Sequence, residues 1–292
     1  MFKFKITQRV VEVSGIKIGG NPGENPPVLI GTIFYHGHKI VVDEKKGEFG
    51  RDSAEKLIRD VEEYSDKTKL PAMIDVTAGS PEAMVRYLDF VASITKLPIL
   101  VDAPSIDIAR EALRYVADSG LNERVIYNSL TYKSRDDEYS TLREYRIRNA
   151  IALLYTDKIL DINARINAFE TISKKASEFQ IVNLLVDTFV IDIPSLAVAI
   201  KTGLEIKSRY GYPWGCGAHN AISAQRKAFK ERFGKEGLES SELSANLVPI
   251  VMSSDFLLYG PIERAREIFP AAYVIYTSYR YLLRTKTPLI EI

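Results

Sequence analysis

The chain is poor in cysteine: among its 292 residues only Cys216 occurs. One thiol excludes an intramolecular disulfide and a cysteine-rich zinc knuckle, and it suits a reducing, cytoplasmic compartment. Histidine is nearly as scarce, with His36, His38 and His219 alone. Long apolar runs are missing, so no stretch of about 18 apolar residues offers a membrane span. The opening Met1-Phe-Lys-Phe-Lys-Ile6 lacks an apolar core and small cleavage-type residues, and does not read as a signal peptide. A surplus of one charge is absent too: 39 Lys plus Arg stand against 38 Asp plus Glu. Nucleic-acid binders usually carry a basic excess, so no nucleic-acid partner is expected. The glycine fingerprint of a dinucleotide fold does not follow the first apolar run, which weighs against a doubly wound open sheet.

What is present is ample core material, 46% hydrophobic against 26% charged residues. Residues 2–18 read as a short hairpin from the runs 2–6, 10–13 and 16–18, and residues 19–27 as a Gly- and Pro-broken loop. Eight short apolar runs then alternate with amphipathic windows: 28–35, 72–76, 99–102, 125–128, 150–155, 182–187, 213–218 and 255–259. Such alternation predicts parallel strands joined by crossover helices, and eight units favour closure into a (β/α)8 TIM barrel. The expected organisation is a single domain over 1–292, with 1–27 as an N-terminal hairpin and loop. Helix ends are marked. Ser80-Pro81 opens one, Gly120 follows another that starts near Ile106, and Pro194 opens a third that stops near Gly211. Helices are also expected over 54–66, 240–252 and 271–283.

Parallel barrels handle ligands at the C-terminal ends of their strands. Reading those ends in order gives His36 and His38, Asp75, Asp102, Asn128, Tyr155, Asp187, His219 with Asn220, and Glu263 after the last strand. Asp and Asn lead the helix N-cap ranking, so each alone reads equally well as a cap. Four in one ring, without lysine, suit a neutral heterocycle rich in N–H groups. A carboxylate accepts two parallel N–H bonds, and a carboxamide both gives and takes. The pyrimidine edge of a pterin has that pattern, as do a purine and a peptide amide. Asp75 is a candidate for handling a proton.

Other features have plainer readings. His36 and His38 alternate, so on an extended segment both would face one way and could begin a metal site with Asp75 or His219. With three histidines and no CxxC, hydrogen bonding or loop anchoring is favoured and no metal is expected. Cys216 reads as a buried strand residue. Tyr127, Tyr132, Tyr139 and Tyr145 read as surface and rim packing. The charge run 43–46 reads as a solvated loop near a partner. Tyr273, Tyr276, Tyr279 and Tyr281 mark a helix that is either core or an interface between protomers.

Several blocks, in order, carry a resemblance over nearly the whole chain. They are Val28-Leu-Ile-Gly-Thr-Ile-Phe-Tyr-His-Gly-His-Lys-Ile-Val41 with Asp43-Glu-Lys-Lys-Gly47, then Val125-Ile-Tyr-Asn-Ser129, Gly217-Ala-His-Asn-Ala221 and Asp255-Phe-Leu-Leu-Tyr-Gly-Pro-Ile-Glu263. Together they resemble the H-subunit family of tetrahydromethanopterin S-methyltransferase, among pterin-binding barrels such as methyltetrahydrofolate:corrinoid methyltransferases and dihydropteroate synthase. The resemblance implies a methyltransferase of one-carbon metabolism or methanogenesis. It would move a methyl between a tetrahydropterin ring nitrogen (tetrahydromethanopterin or tetrahydrofolate) and the cobalt of a corrinoid carried by a partner protein. It implies pterin contacts at Asp102, Asn128 and Asp187, and places Asn220 beside the methyl-bearing nitrogen, with His219 as the neighbouring alternative. His36, His38, His219 and Glu263 would line the site. A homodimer is implied, with membrane association only through a partner complex. The alternatives are a non-catalytic pterin-binding scaffold and a dihydropteroate-synthase-like enzyme, although Gly217-Ala-His-Asn220 offers no Lys or Arg for a diphosphate.

Overall fold

Eight parallel strands form from the eight apolar runs in the computed structural model, which describes residues 2–292. They are Val28–Ile33, Ala72–Thr77, Ile99–Asp102, Val125–Leu130, Asn149–Leu153, Asn183–Asp187, Trp214–Cys216 and Phe256–Pro261. Each pairs with the next, and the eighth returns to the first through Phe256 opposite Val28, which closes the barrel. Helices cover the outside, so the strands are apolar on both faces, as parallel strands must be.

Alternation along each strand builds two cores. Leu29, Ile74, Ile99 and Val125 face outward against the helices. Val28, Ile30, Met73, Leu100, Ile126, Ile151, Leu185 and Phe256 face inward and fill the barrel. Side chains two residues further along a strand share its face. The inward layer above Met73, Leu100, Ile126 and Leu185 is therefore Asp75, Asp102, Asn128 and Asp187. The same period that packs the core delivers four polar groups to one rim.

The N-terminal segment closes the opposite mouth. Val10–Val13 and Ile16–Gly19 pair antiparallel, and Val11, Val13 and Ile18 pack onto the inner core. Phe2–Lys3 does not extend that hairpin, contrary to the sequence expectation. It pairs parallel with Ile290–Glu291 from the C-terminus. Buried Lys207 ties the plug down, its Nζ reaching the Gly20 carbonyl at 2.7 Å and both Asp255 oxygens at 2.7 and 2.8 Å.

The marked helix ends form as read. Ser80 accepts from the Ala83 N–H at 3.1 Å with Pro81 in the first turn, and Asp192 and Ser195 make a capping box that spans Pro194. Both late helices start earlier than expected, as Arg226–Val251, broken at Gly234, and Ala265–Arg284. Residues 226–237 are almost all exposed, so they show little apolar periodicity to read. The first strand stops at Ile33, two residues short of the expected end, because Phe34 turns left-handed at φ 63°. The fifth stops at Leu153, which leaves Tyr155 in a loop. Tyr127 and Tyr139 are buried in the core rather than at the surface, while Cys216 is buried in its strand as expected.

Candidate functional site

The polar inward layer borders a cavity of about 420 Å³ at the C-terminal ends of the strands. Asp75, Asp102, Asn128, Asp187, His219 and Asn220 line it together, with Thr32, Thr77, Leu153 and Phe189 between them. Backbone register sets the spacing: Thr32 is opposite Asp75, Asp102 opposite Asn128, and Leu153 opposite Asp187. Thr32 escaped the sequence reading, although its place two residues beyond inward-facing Ile30 was a usable signal.

Burial sets the electrostatics. The Asp75 carboxylate accepts from Thr32 Oγ1 at 2.8 Å and from Asn128 Nδ2 at 3.3 Å, and burial still pushes its pKa up to about 6. Asp187 is pushed up to about 7 by burial, against a 2.8 Å bond from the Phe189 N–H and the positive field of Arg165. Asp102 rises well above the ordinary carboxylate range, first through burial and then through the charge of Asp75. Three carboxyls sharing one poorly hydrated space cannot all ionise cheaply, so each holds its proton nearer neutrality. A ligand that donates N–H groups to the ionised forms relieves that penalty.

One residue steadies the ring from behind. Buried Arg165, on the helix Ile162–Glu178, donates only to backbone carbonyls: Ile159 at 2.6 and 3.1 Å, Phe189 at 2.9 Å, and Thr188. It clamps the loops that follow the fifth and sixth strands, and so positions Asp187. No sequence signal separated it from other outer-helix arginines. His219 has an Nδ1–H that donates to the Leu258 carbonyl at 3.2 Å, and burial lowers its pKa. The neutral ring then presents Nε2 as an acceptor. Gly260 makes that placement possible, since a Cβ on it would lie 2.7 Å from the His219 ring. Asn220 opens the short helix Asn220–Ser223, and its carboxamide has no hydrogen-bond partner among the described residues.

His36 and His38 do not face one way. The segment is not extended, because Phe34 and Gly37 both take positive φ, at 63° and 76°. His36 turns outward to Glu44 at 2.9 Å and touches only the cavity rim. His38 is buried, and its Nδ1 accepts from the Phe34 N–H at 3.0 Å. Its proton therefore sits on Nε2 and is donated to Glu263 at 2.9 Å. Tyr35 stacks on His38 with ring centroids 4.3 Å apart and donates to Glu263 at 3.3 Å. His38 and Glu263 thus stand behind the wall and hold Tyr35, which lines the cavity. Among the described residues no three His, Cys, Asp or Glu side chains converge as a metal site. Nor is any described helix long and apolar enough to cross a membrane.

Residues 6–291 match the family model described as the tetrahydromethanopterin S-methyltransferase MtrH subunit. The chain is 39% identical over 284 residues to the H subunit of tetrahydromethanopterin S-methyltransferase from Methanothermobacter marburgensis, covering 93% of this chain and 91% of that one. It is 35% identical over 282 residues to the H subunit of the putative methyltransferase mtx from Methanosarcina mazei, with the same coverage. Among solved structures it is similar to dihydropteroate synthase from Xanthomonas albilineans, with a TM-score of 0.61, 15% identity, and coverage of 97% of this chain and 100% of that one. At that identity the likeness is one of fold, and it agrees with the closed barrel. The chain belongs to the MtrH family, the H subunits of tetrahydromethanopterin S-methyltransferase.

Proposed function

We propose that this chain binds a methylated tetrahydropterin in the 420 Å³ cavity and moves its methyl group to or from a corrinoid held by a partner protein. The observation that carries the reading is the ring of Asp102, Asn128 and Asp187 in one inward layer, beside the unpartnered Asn220 carboxamide. The carboxyls grip the N–H groups of the pyrimidine edge, with Asn128 giving and taking. Asn220 holds the methyl-bearing nitrogen, with Nε2 of His219 alongside.

A tertiary amine is a poor leaving group, so its nitrogen needs a proton or a strong hydrogen bond as the methyl departs. Asp75, with its pKa of about 6, and the Asn220 amide are the groups on hand to supply them. The corrinoid contributes a nucleophilic cobalt or, in reverse, a methyl donor. Asp102, Asn128 and Asn220 are only partly buried, so the cavity opens to solvent where so large a group must approach. The exposed Tyr273, Val274 and Tyr281 on the last helix support a homodimer, and the balanced charge supports a protein partner over nucleic acid.

The test is a visible-spectrum assay with cob(I)alamin and either methyl-tetrahydromethanopterin or methyl-tetrahydrofolate. Conversion to methyl-cobalt with one of them supports the reading and identifies the pterin. Binding of both without conversion, even with a protein-bound corrinoid, replaces it with a pterin-binding scaffold. Substitutions at Asp102 and Asn128 that leave pterin affinity unchanged would sink the site assignment.

A further inference from the structure

A second cavity of about 290 Å³ adjoins the first and shares four of its walls, Thr32, Tyr35, His219 and Asn220. Gly260 and Pro261 give it an apolar floor, and Arg226, Glu242 and Arg264 form its far side. Glu242 is a buried carboxylate between two guanidiniums: Arg226 Nε lies 3.0 Å from one oxygen, and Arg264 Nη1 bonds the other. Arg264 is engaged further by Glu267 at 2.8 and 3.2 Å. Arg226 differs. Its Nε is ion-paired to Glu242, its side chain is 62% exposed, and its two terminal nitrogens have no partner among the described residues. A guanidinium with both terminal nitrogens free presents the planar fork that binds a carboxylate or a phosphate through two parallel bonds.

We infer that this side cavity receives the substituent of the pterin and that Arg226 binds an anionic group on it, a carboxylate or a phosphate. This rests on the pterin reading above. In a tetrahydropterin the methyl-bearing nitrogen is bonded to the carbon that carries the substituent, at the end of the bicycle away from the pyrimidine edge. With that edge on Asp102, Asn128 and Asp187 and the nitrogen at Asn220, the substituent leaves the ring at the wall the two cavities share. Gly260 and Pro261 offer a side-chain-poor, apolar surface over which a flat aromatic spacer can lie. The acid at its end then meets the free fork of Arg226. The first cavity would recognise the ring, and the second would recognise what is attached to it.

The test is calorimetric titration of wild type and Arg226→Gln with three probes. These are 5,6-dimethyltetrahydropterin, which has no acidic tail, 5-methyltetrahydrofolate, whose tail ends in carboxylates, and methyl-tetrahydromethanopterin, whose tail also carries a phosphate. Arg226→Gln should weaken a tailed probe roughly tenfold and leave the tail-less one unchanged, which also shows that the fold is intact. Loss with methyl-tetrahydromethanopterin alone assigns the phosphate as the group bound, and loss with both tailed probes assigns a carboxylate. Arg226→Lys should recover part of the loss, and added salt should weaken the tailed probes more than the tail-less one. Equal weakening of all three probes, or of none, overturns the inference while the pterin reading stands. Failure of wild type to bind any probe overturns the pterin reading itself.

Discussion

His38 and Glu263 join across the seam where the first and eighth strands close the barrel, with the buried imidazole donating to the carboxylate at 2.9 Å. The other imidazole nitrogen accepts from the backbone at Phe34, where the chain turns left-handed to leave the strand. One side chain thereby stabilises a strained turn, anchors Tyr35 and links two strand exits.

His38→Ala should destabilise the protein by roughly 2–4 kcal/mol, through a lost acceptor, a lost donor and the void left behind. Glu263→Gln keeps an acceptor for the imidazole and should cost less than about 1 kcal/mol. Urea denaturation followed by circular dichroism measures both. An unchanged midpoint for His38→Ala would show that the latch contributes nothing.

The buried carboxyls should make stability depend on pH in an unusual direction. Asp187 has a folded pKa of about 7 against its ordinary 3.8, so the fold favours its protonated form. The penalty for ionising it is absent below about pH 4, grows as pH rises, and is complete above about 7. Asp187→Asn should therefore match wild type near pH 4 and exceed its stability at pH 8, by on the order of 2–4 kcal/mol. Asp75→Asn should behave alike, with its window closing at about pH 6. Denaturation at the two pH values decides it, and an equal difference at both would refute the assignment.

Removing the Asn220 carboxamide should separate binding from chemistry. Asn220→Ala is expected to lower kcat for methyl transfer by roughly 10²–10³-fold, the usual effect of losing one hydrogen bond made in the transition state. Pterin affinity should change little. Asn128→Ala should do the reverse and weaken binding. Single-turnover methyl transfer beside equilibrium titration distinguishes the two, and a purely affinity-based defect in Asn220→Ala would move the reacting nitrogen elsewhere.

Gly260→Ala should damage the site without removing a polar group. Gly260 has φ +85°, which disfavours a side chain, and the added methyl would meet the His219 ring at 2.7 Å. The expected result is a stability loss of about 1–3 kcal/mol and a displaced His219, visible as a shifted imidazole resonance by NMR. An unmoved resonance would mean the loop yields instead.

The ring of Asp75, Asp102, Asn128 and Asp187 was legible because its cause is local. Side chains alternate along a strand, the apolar residue two places earlier faces the core, and eight parallel strands end at one rim. The barrel, the marked helix ends and the burial of Cys216 follow from the same short-range rules. Other features depend on groups far apart in the chain. A left-handed Phe34, rather than strand alternation, sends His36 outward and His38 inward. Arg165 matters because it ties the Ile159 carbonyl just ahead of its helix to the Thr188 and Phe189 carbonyls on the loop after the sixth strand. The side cavity exists because Arg226, Glu242 and Arg264 meet from separate turns of the chain. Periodicity along the chain determined which residues face the centre of the barrel; tertiary packing alone decided which of them are desolvated, which are paired, and which keep a free hand for a ligand.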